Sequence, residues 1–152
     1  MKQLLDDLDK KIIVELEKDA TRPYKMLSEI LKVPHSTIFE RVKRLKKLGI
    51  IKAIIPLVDT EKCGLSTTAW IRVNIGDFHR IDSIEKEICK IKNVLEVHEI
   101  SGEWDILLKV KVKNNRELRD LEIEKLGKIE GIKDLASMIA VKTIKDDPRI
   151  VI

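Results

Sequence analysis

The sequence predicts an α+β chain of two small domains: an N-terminal helix-turn-helix of winged-helix-like type, then a C-terminal ferredoxin-like βαββαβ domain. Three observations predict it. Apolar residues recur at helical spacing in three successive segments before Gly49, residues 65–144 read as strand, helix, strand, strand, helix, strand, and excess positive charge is confined to the first part. Residues 1–64 hold fourteen Lys or Arg against ten Asp or Glu, whereas 65–152 hold sixteen of each, so the net charge of +4 lies wholly in the first part. Arg41, Lys43, Arg44, Lys46, Lys47 and Lys52 fall within twelve residues without an acid, and a run of one sign points to a polyanionic partner.

The first helix carries Leu5, Leu8, Ile12 and Leu16 on one stripe, with Asp6, Asp7 and Asp9 in its first turns, where they favour the helix dipole. "TRPY" ends it, and Pro23 suits the first turn of a short second helix, about Tyr24–Leu31, predicted to bury Leu27, Ile30 and Leu31. After the turn "KVP", a third helix runs from about His35 to Leu48 and stops at Gly49. Short helix, tight turn, long helix is the outline of a helix-turn-helix.

On the third helix Ile38, Val42 and Leu45 form a narrow apolar stripe, while Ser36, Glu40, Lys43 and Lys47 point the opposite way. His35, Ser36, Thr37 and Glu40 have hydrogen-bonding groups near the helix start, the part that reaches base edges in the major groove of double-stranded DNA. Glu40 suits cytosine, and Arg44 suits guanine or a phosphate. Lys43, Arg44, Lys46 and Lys47 read as phosphate contacts, which anchor without specifying. Arg41 lies nearer the buried stripe and is expected to be partly structural, its stem packing while its head reaches out as a further DNA contact.

Residues 50–64 are expected to form a linker strand, with Pro56 arguing for an edge position and "IIKAIIPLVD" too apolar to lie uncovered. "TTAWIRVNI" then reads as a strand with Ala69, Ile71, Val73 and Ile75 on one face. A helix striped by Ile81, Ile84, Ile88 and Ile91 follows, then the hairpin "VLEVHEI" and "DILLKVKV", a second helix lined by Leu118, Leu121, Leu126 and Ile129, and a last strand in "IKDLASMIAVKTI". The halves echo each other, "CKIKNVLEV" at 89–97 aligning with "GKIEGIKDL" at 127–135, so that Asn93 and Gly131 both fall where a left-handed cap is wanted. The expected domains are 1–49, the linker 50–64, and 65–152. The open face of the sheet needs a cover, and self-association is a natural one.

Cys63 and Cys89 have no CxxC or histidine companion, so neither a metal site nor a disulfide is expected. "MKQLLDDLDKK" is too acidic for a signal peptide and no apolar run approaches membrane-spanning length, so a cytoplasmic protein without membrane partners is expected. His35, His79 and His98 are dispersed and no nucleophile–base pair is visible, which argues against an enzyme. No cofactor is expected.

Taken together, "LDDLDKKIIVELEKDATRPYKMLSEILKVPHSTIFERVKRLKKLGIIK", "ISGEWDILLKV" and the ending "RIVI" resemble the Lrp/AsnC family of leucine- and asparagine-responsive regulators over essentially the whole chain. The resemblance implies a sequence-specific transcription regulator that forms homodimers, and often tetramers or octamers, through its second domain and responds to an amino acid. It places the effector against the turn Ser101, Gly102, Glu103, Trp104, Asp105 and the start of the last strand, where Ser137 keeps a hydroxyl.

In that turn an amino-acid carboxylate would meet converging N–H donors and its ammonium would meet Asp105, with Gly102 permitting close approach. Trp104 reads either as a pocket wall or as a packing anchor. The sequence departs from the family pattern at Lys32 and Pro34 in the helix-turn-helix and at Leu135, which stands where a threonine is common. One polar ligand contact is accordingly lost, so that either the effector differs in kind from the family's or the turn is purely structural. An effector-independent architectural DNA-binding protein is the alternative function.

Overall fold

The structure is a computed structural model that describes residues 4–150 and 152. Two compact units are present, one running to Leu57 and taking in Asp146–Ile152, the other Val58–Lys145.

In the first unit α1 (Asp7–Lys18) starts at Asp6, whose carboxylate accepts from the Asp9 N–H (2.9 Å) while the Asp9 carboxylate accepts from the Asp6 N–H (3.1 Å). This reciprocal box satisfies two of the donors a helix start leaves open. α2 (Tyr24–Leu31) and α3 (His35–Lys47) follow, and the core is Ile12, Ile13, Leu16, Leu27, Ile38, Val42 and Leu45. The expected stripe of α3 is thus the one that is buried. Ile30 is a correction: it is 45% exposed, because it lies about 60° round the helix from Leu27, away from Tyr24 and Leu31. Lys32 takes the left-handed conformation (φ 55°) at the turn between α2 and α3, a position that would suit glycine better. α3 begins directly after Pro34, which caps it without a side-chain hydrogen bond.

The expected linker strand at 50–58 lies in no ladder among the described residues, and residues 52–59 are neither helix nor strand. Pro56 lacks an N–H, and no strand among the described residues runs alongside. The terminal segment also departs from the expected division, grouping with the helical unit, where the Ile150 N–H donates to Glu17 Oε1 at 3.1 Å.

The second unit holds β1 (Thr67–Ile75), α4 (Ile81–Ile88), β2 (Val94–Glu99), β3 (Ile106–Val112), α5 (Asn115–Glu124) and β4 (Ile132–Ile139). The antiparallel sheet has the order β2-β3-β1-β4, the two central strands being those with the strictest alternation. Ala69, Ile71, Val73 and Ile75 on β1 and Ile106, Leu108, Val110 and Val112 on β3 are all buried, packing with Ile84 and Ile88 of α4 and Leu118 and Leu121 of α5. α5 ends sooner than its apolar spacing implied, and Leu126 and Ile129 are buried from the 3-10 turn that follows it and from the residue after that turn. Gly131 has the expected positive φ of 102°, and an added Cβ there would meet Ile84 at 2.9 Å. Asn93 does not share its left-handed backbone. It holds its turn through its side chain instead, donating from Nδ2 to the Lys111 carbonyl at 3.2 Å.

Candidate functional sites

The first site is the outward side of α3. Its buried stripe fixes the helix, so the orientation of every other residue follows. His35, Ser36, Glu40, Lys43 and Lys47 are exposed and Thr37 is half-buried. The cations separate into two groups. Lys43, Lys46 and Lys47 are exposed and make no ion pair among the described residues. Arg41 and Arg44 are tied instead to α1. Arg41 Nη1 contacts Asp6 Oδ2 and, at 3.1 Å, Asp9 Oδ1, while Arg44 Nη2 contacts Asp9 Oδ2.

Asp9 is fully buried, and its carboxylate collects both guanidinium contacts together with the Asp6 N–H. Each guanidinium keeps further N–H donors. The Asp6 carboxyl is held below the usual range first by the Asp9 backbone N–H and then by Arg41, and the paired acids raise the Arg41 pKa. Because the Asp6 shift is downward, the stabilisation it represents is complete above the ordinary aspartate pKa and is lost as acid takes the pH through the lowered value.

Arg41 and Arg44 therefore clamp one shoulder of α3 to α1. Aromatic contacts hold the other shoulder, where Tyr24 of α2 lies 6.5 Å from His35 and 6.4 Å, edge-on, from Phe39. Between the shoulders the helix presents side chains with hydrogen-bonding groups near its start and lysines further along. A cationic helix of this kind has the chemistry to neutralise phosphates, and hydrogen-bonding groups in its first turns have the chemistry to meet base edges.

The second site is the β2–β3 turn. Ser101, Gly102 and Glu103 are exposed, and Trp104 and Asp105 half-buried. Gly102 has φ +139° with open space where a Cβ would stand. Asp105 ties the turn to the end of β1: its Oδ2 accepts from the Ile75 N–H at 2.7 Å, and its own N–H donates to the Val73 carbonyl at 3.0 Å. The other carboxylate oxygen, Oδ1, has no partner among the described residues, and the N–H groups of Ser101, Gly102 and Glu103 donate to none.

Trp104 stacks on the guanidinium of Arg72, with 4.7 Å from Cζ to the ring centroid. Asn74 Nδ2 reaches the Glu103 carbonyl at 3.4 Å. Sequence reasoning missed Arg72 and Asn74, which only the β1–β3 register brings to this end of the sheet. Ser137 is set apart: it is exposed on the edge strand β4, opposite Ile71 and further along the strands than the turn. Among the described residues no cluster of acids, cysteines and histidines is arranged to hold a metal.

Comparison with known proteins agrees with this architecture. The model of the AsnC-type helix-turn-helix domain matches residues 5–46, and that of the Lrp/AsnC ligand-binding domain matches residues 67–150. HTH-type transcriptional regulator FL11 of Pyrococcus furiosus is 36% identical over 148 residues, 96% of this chain and 95% of its own. A transcriptional regulator of Neisseria meningitidis, solved as a complex with L-methionine, superposes with a TM-score of 0.89 at 26% identity, covering 97% of this chain and 96% of that one. AsnC of Escherichia coli shares the fold at a TM-score of 0.89 and 23% identity, over 98% of this chain and 99% of its own. With both domains matched in order along nearly the full chain, the protein belongs to the Lrp/AsnC family and is a transcription regulator with a helix-turn-helix DNA-binding domain and a ligand-binding domain.

Proposed function

We propose that the regulator inserts α3 into the major groove, reads bases with His35, Ser36, Thr37 and Glu40, and anchors on phosphates chiefly through Lys43, Lys46 and Lys47. The observation that carries this reading is the division among the cations: the lysines are uncommitted, while Arg41 and Arg44 are engaged with Asp9 and serve mainly to hold the helix. In a salt titration of duplex binding, Lys43→Ala with Lys47→Ala is expected to reduce the slope of log K against log salt by about 2, since each lost phosphate contact removes about 0.9. A slope unchanged by the pair would overturn the assignment.

The chain acts as a homodimer or larger assembly in the cytoplasm. Ile54, Ile55, Leu57 and Val58 are 47%, 79%, 73% and 54% exposed in the single chain, consecutive but for Pro56. Burial of such side chains is worth roughly 1.5–3 kcal/mol each, enough to drive pairing of this segment with its counterpart in a second copy. Light scattering should give at least a dimer at micromolar concentration, and Ile55→Lys with Leu57→Lys should shift it toward monomer. A wild-type monomer would refute this.

The β2–β3 turn receives the α-carboxylate and α-ammonium of an amino acid. The open N–H groups of Ser101, Gly102 and Glu103 and the unpartnered Oδ1 of Asp105 have the complementary polarity. That the Neisseria relative was solved with L-methionine supports the ligand class. Ser137 reaches such a ligand only if the bound molecule extends across the edge of β4.

A further inference from the structure

We propose that Phe39 is a base-reading residue that recognises the C5-methyl group of a thymine, an inference that rests on the placement of α3 in the major groove. A phenylalanine on the recognition helix is ordinarily core, but this one is 48% exposed, while Ile38 beside it and Val42 after it are buried. At 100° per residue Phe39 lies about 60° from both Ser36 and the buried Val42 and about 40° from Lys43, on the shoulder where the exposed side of α3 meets its buried stripe.

Its ring borders a cavity of about 290 Å³ lined by Tyr24, Phe39, Val42, Lys43 and Lys46, apolar at its floor and cationic at its rim. The occupant that fits both features is duplex DNA itself. The rim lysines match the phosphates, and the patch is continuous with the face already assigned to the groove. Thymine is the one standard base that offers an apolar group in the major groove, and an aromatic or aliphatic side chain is what reads it. The edge-on contact with Tyr24, at 6.4 Å between centroids, restrains the ring before DNA arrives, so little side-chain freedom is lost on binding.

The test uses the full-length chain and a duplex selected by it from a random pool. Each thymine of that duplex is replaced in turn by deoxyuridine, which keeps the base pair and removes only the methyl group. Wild type is expected to weaken about fourfold at one thymine per half-site, the effect of one buried methyl. Phe39→Ala should bind the thymine duplex more weakly and be indifferent to uridine at that position, with its salt slope unchanged. Phe39→Leu, which keeps an apolar side chain and guards against a folding defect, should retain part of the discrimination.

The proposal is overturned if wild type tolerates uridine everywhere, if Phe39→Ala remains as sensitive as wild type, or if the substitution lowers the assembly mass, which would make the patch a protein contact. In those cases, a salt slope that still depends on Lys43 and Lys47 leaves the groove placement of α3 standing. Failure to select any duplex removes both.

Discussion

Asp9→Ala is expected to destabilise the DNA-binding unit by about 3 kcal/mol, at the lower end of what breaking a buried ion pair costs, or roughly 15 °C in the midpoint of so small a unit. The carboxylate is fully shielded from water, and three donors converge on it: the Asp6 N–H, Arg41 and Arg44. Removing it leaves the Asp6 N–H without its partner and two guanidiniums with only Asp6 between them. Arg41 and Arg44 are 31% and 44% exposed, so water recovers part of the loss, hence the low end of the range.

Asp9→Asn keeps the shape and one acceptor while removing the charge, and should fall between wild type and alanine. Combining Asp9→Ala with Arg44→Ala should cost less than the sum of the two, which a double-mutant cycle in urea would detect. Strict additivity would mean that the pair does not clamp α3. The same substitution has a functional signature. Freed from Asp9, Arg44 becomes available to phosphate, so below its melting point the Asp9→Ala chain should show a DNA-binding salt slope steeper by about one contact.

Asp9 also shows where sequence reading stops. Its place in a run of acids at a helix start fits a dipole role, and the structure keeps that role through the capping box. Yet Asp9, Ile12, Ile13 and Leu16 follow the i, i+3, i+4, i+7 spacing of a buried face, and all four are buried. An acid on a core stripe needs a cation, and Arg41 and Arg44, themselves three apart, supply it. The signal was present but spread over thirty-five residues of chain.

The strands of the second domain were legible because alternation is a local property: Ile106, Leu108, Val110 and Val112 required no partner to be recognised. The contacts of the turn were not. Arg72 under Trp104 and Asn74 beside Glu103 depend on how β1 pairs with β3, and the distance of Ser137 from the turn depends on how β4 pairs with β1. Phe39 is inconspicuous in the sequence for a different reason. Attention to hydrogen-bonding groups favours His35, Ser36 and Glu40, although an apolar side chain left outside the core is equally informative.

Asp105 gives the other large effect, and two substitutions divide its roles. Asp105→Ala orphans the N–H of Ile75, a residue only 4% exposed, and should lower the stability of the sheet domain by about 2 kcal/mol without any ligand. Loss of ligand response in that variant would therefore be ambiguous. Asp105→Asn is the decisive change. Its amide oxygen can replace Oδ2 opposite Ile75, so the ligand-free melting curve should stay close to wild type, while the negative charge offered to an ammonium group is gone. Melts of the wild type with each of the twenty amino acids should identify one or a few that stabilise it, by about 2.7 kcal/mol when ligand stands at a hundredfold its dissociation constant. Asp105→Asn should abolish that shift. If it melts like wild type and still responds in full, the ammonium binds elsewhere. If no amino acid shifts even the wild type, Asp105 serves only to fasten the β2–β3 turn to β1, and the regulator binds DNA without an amino-acid signal.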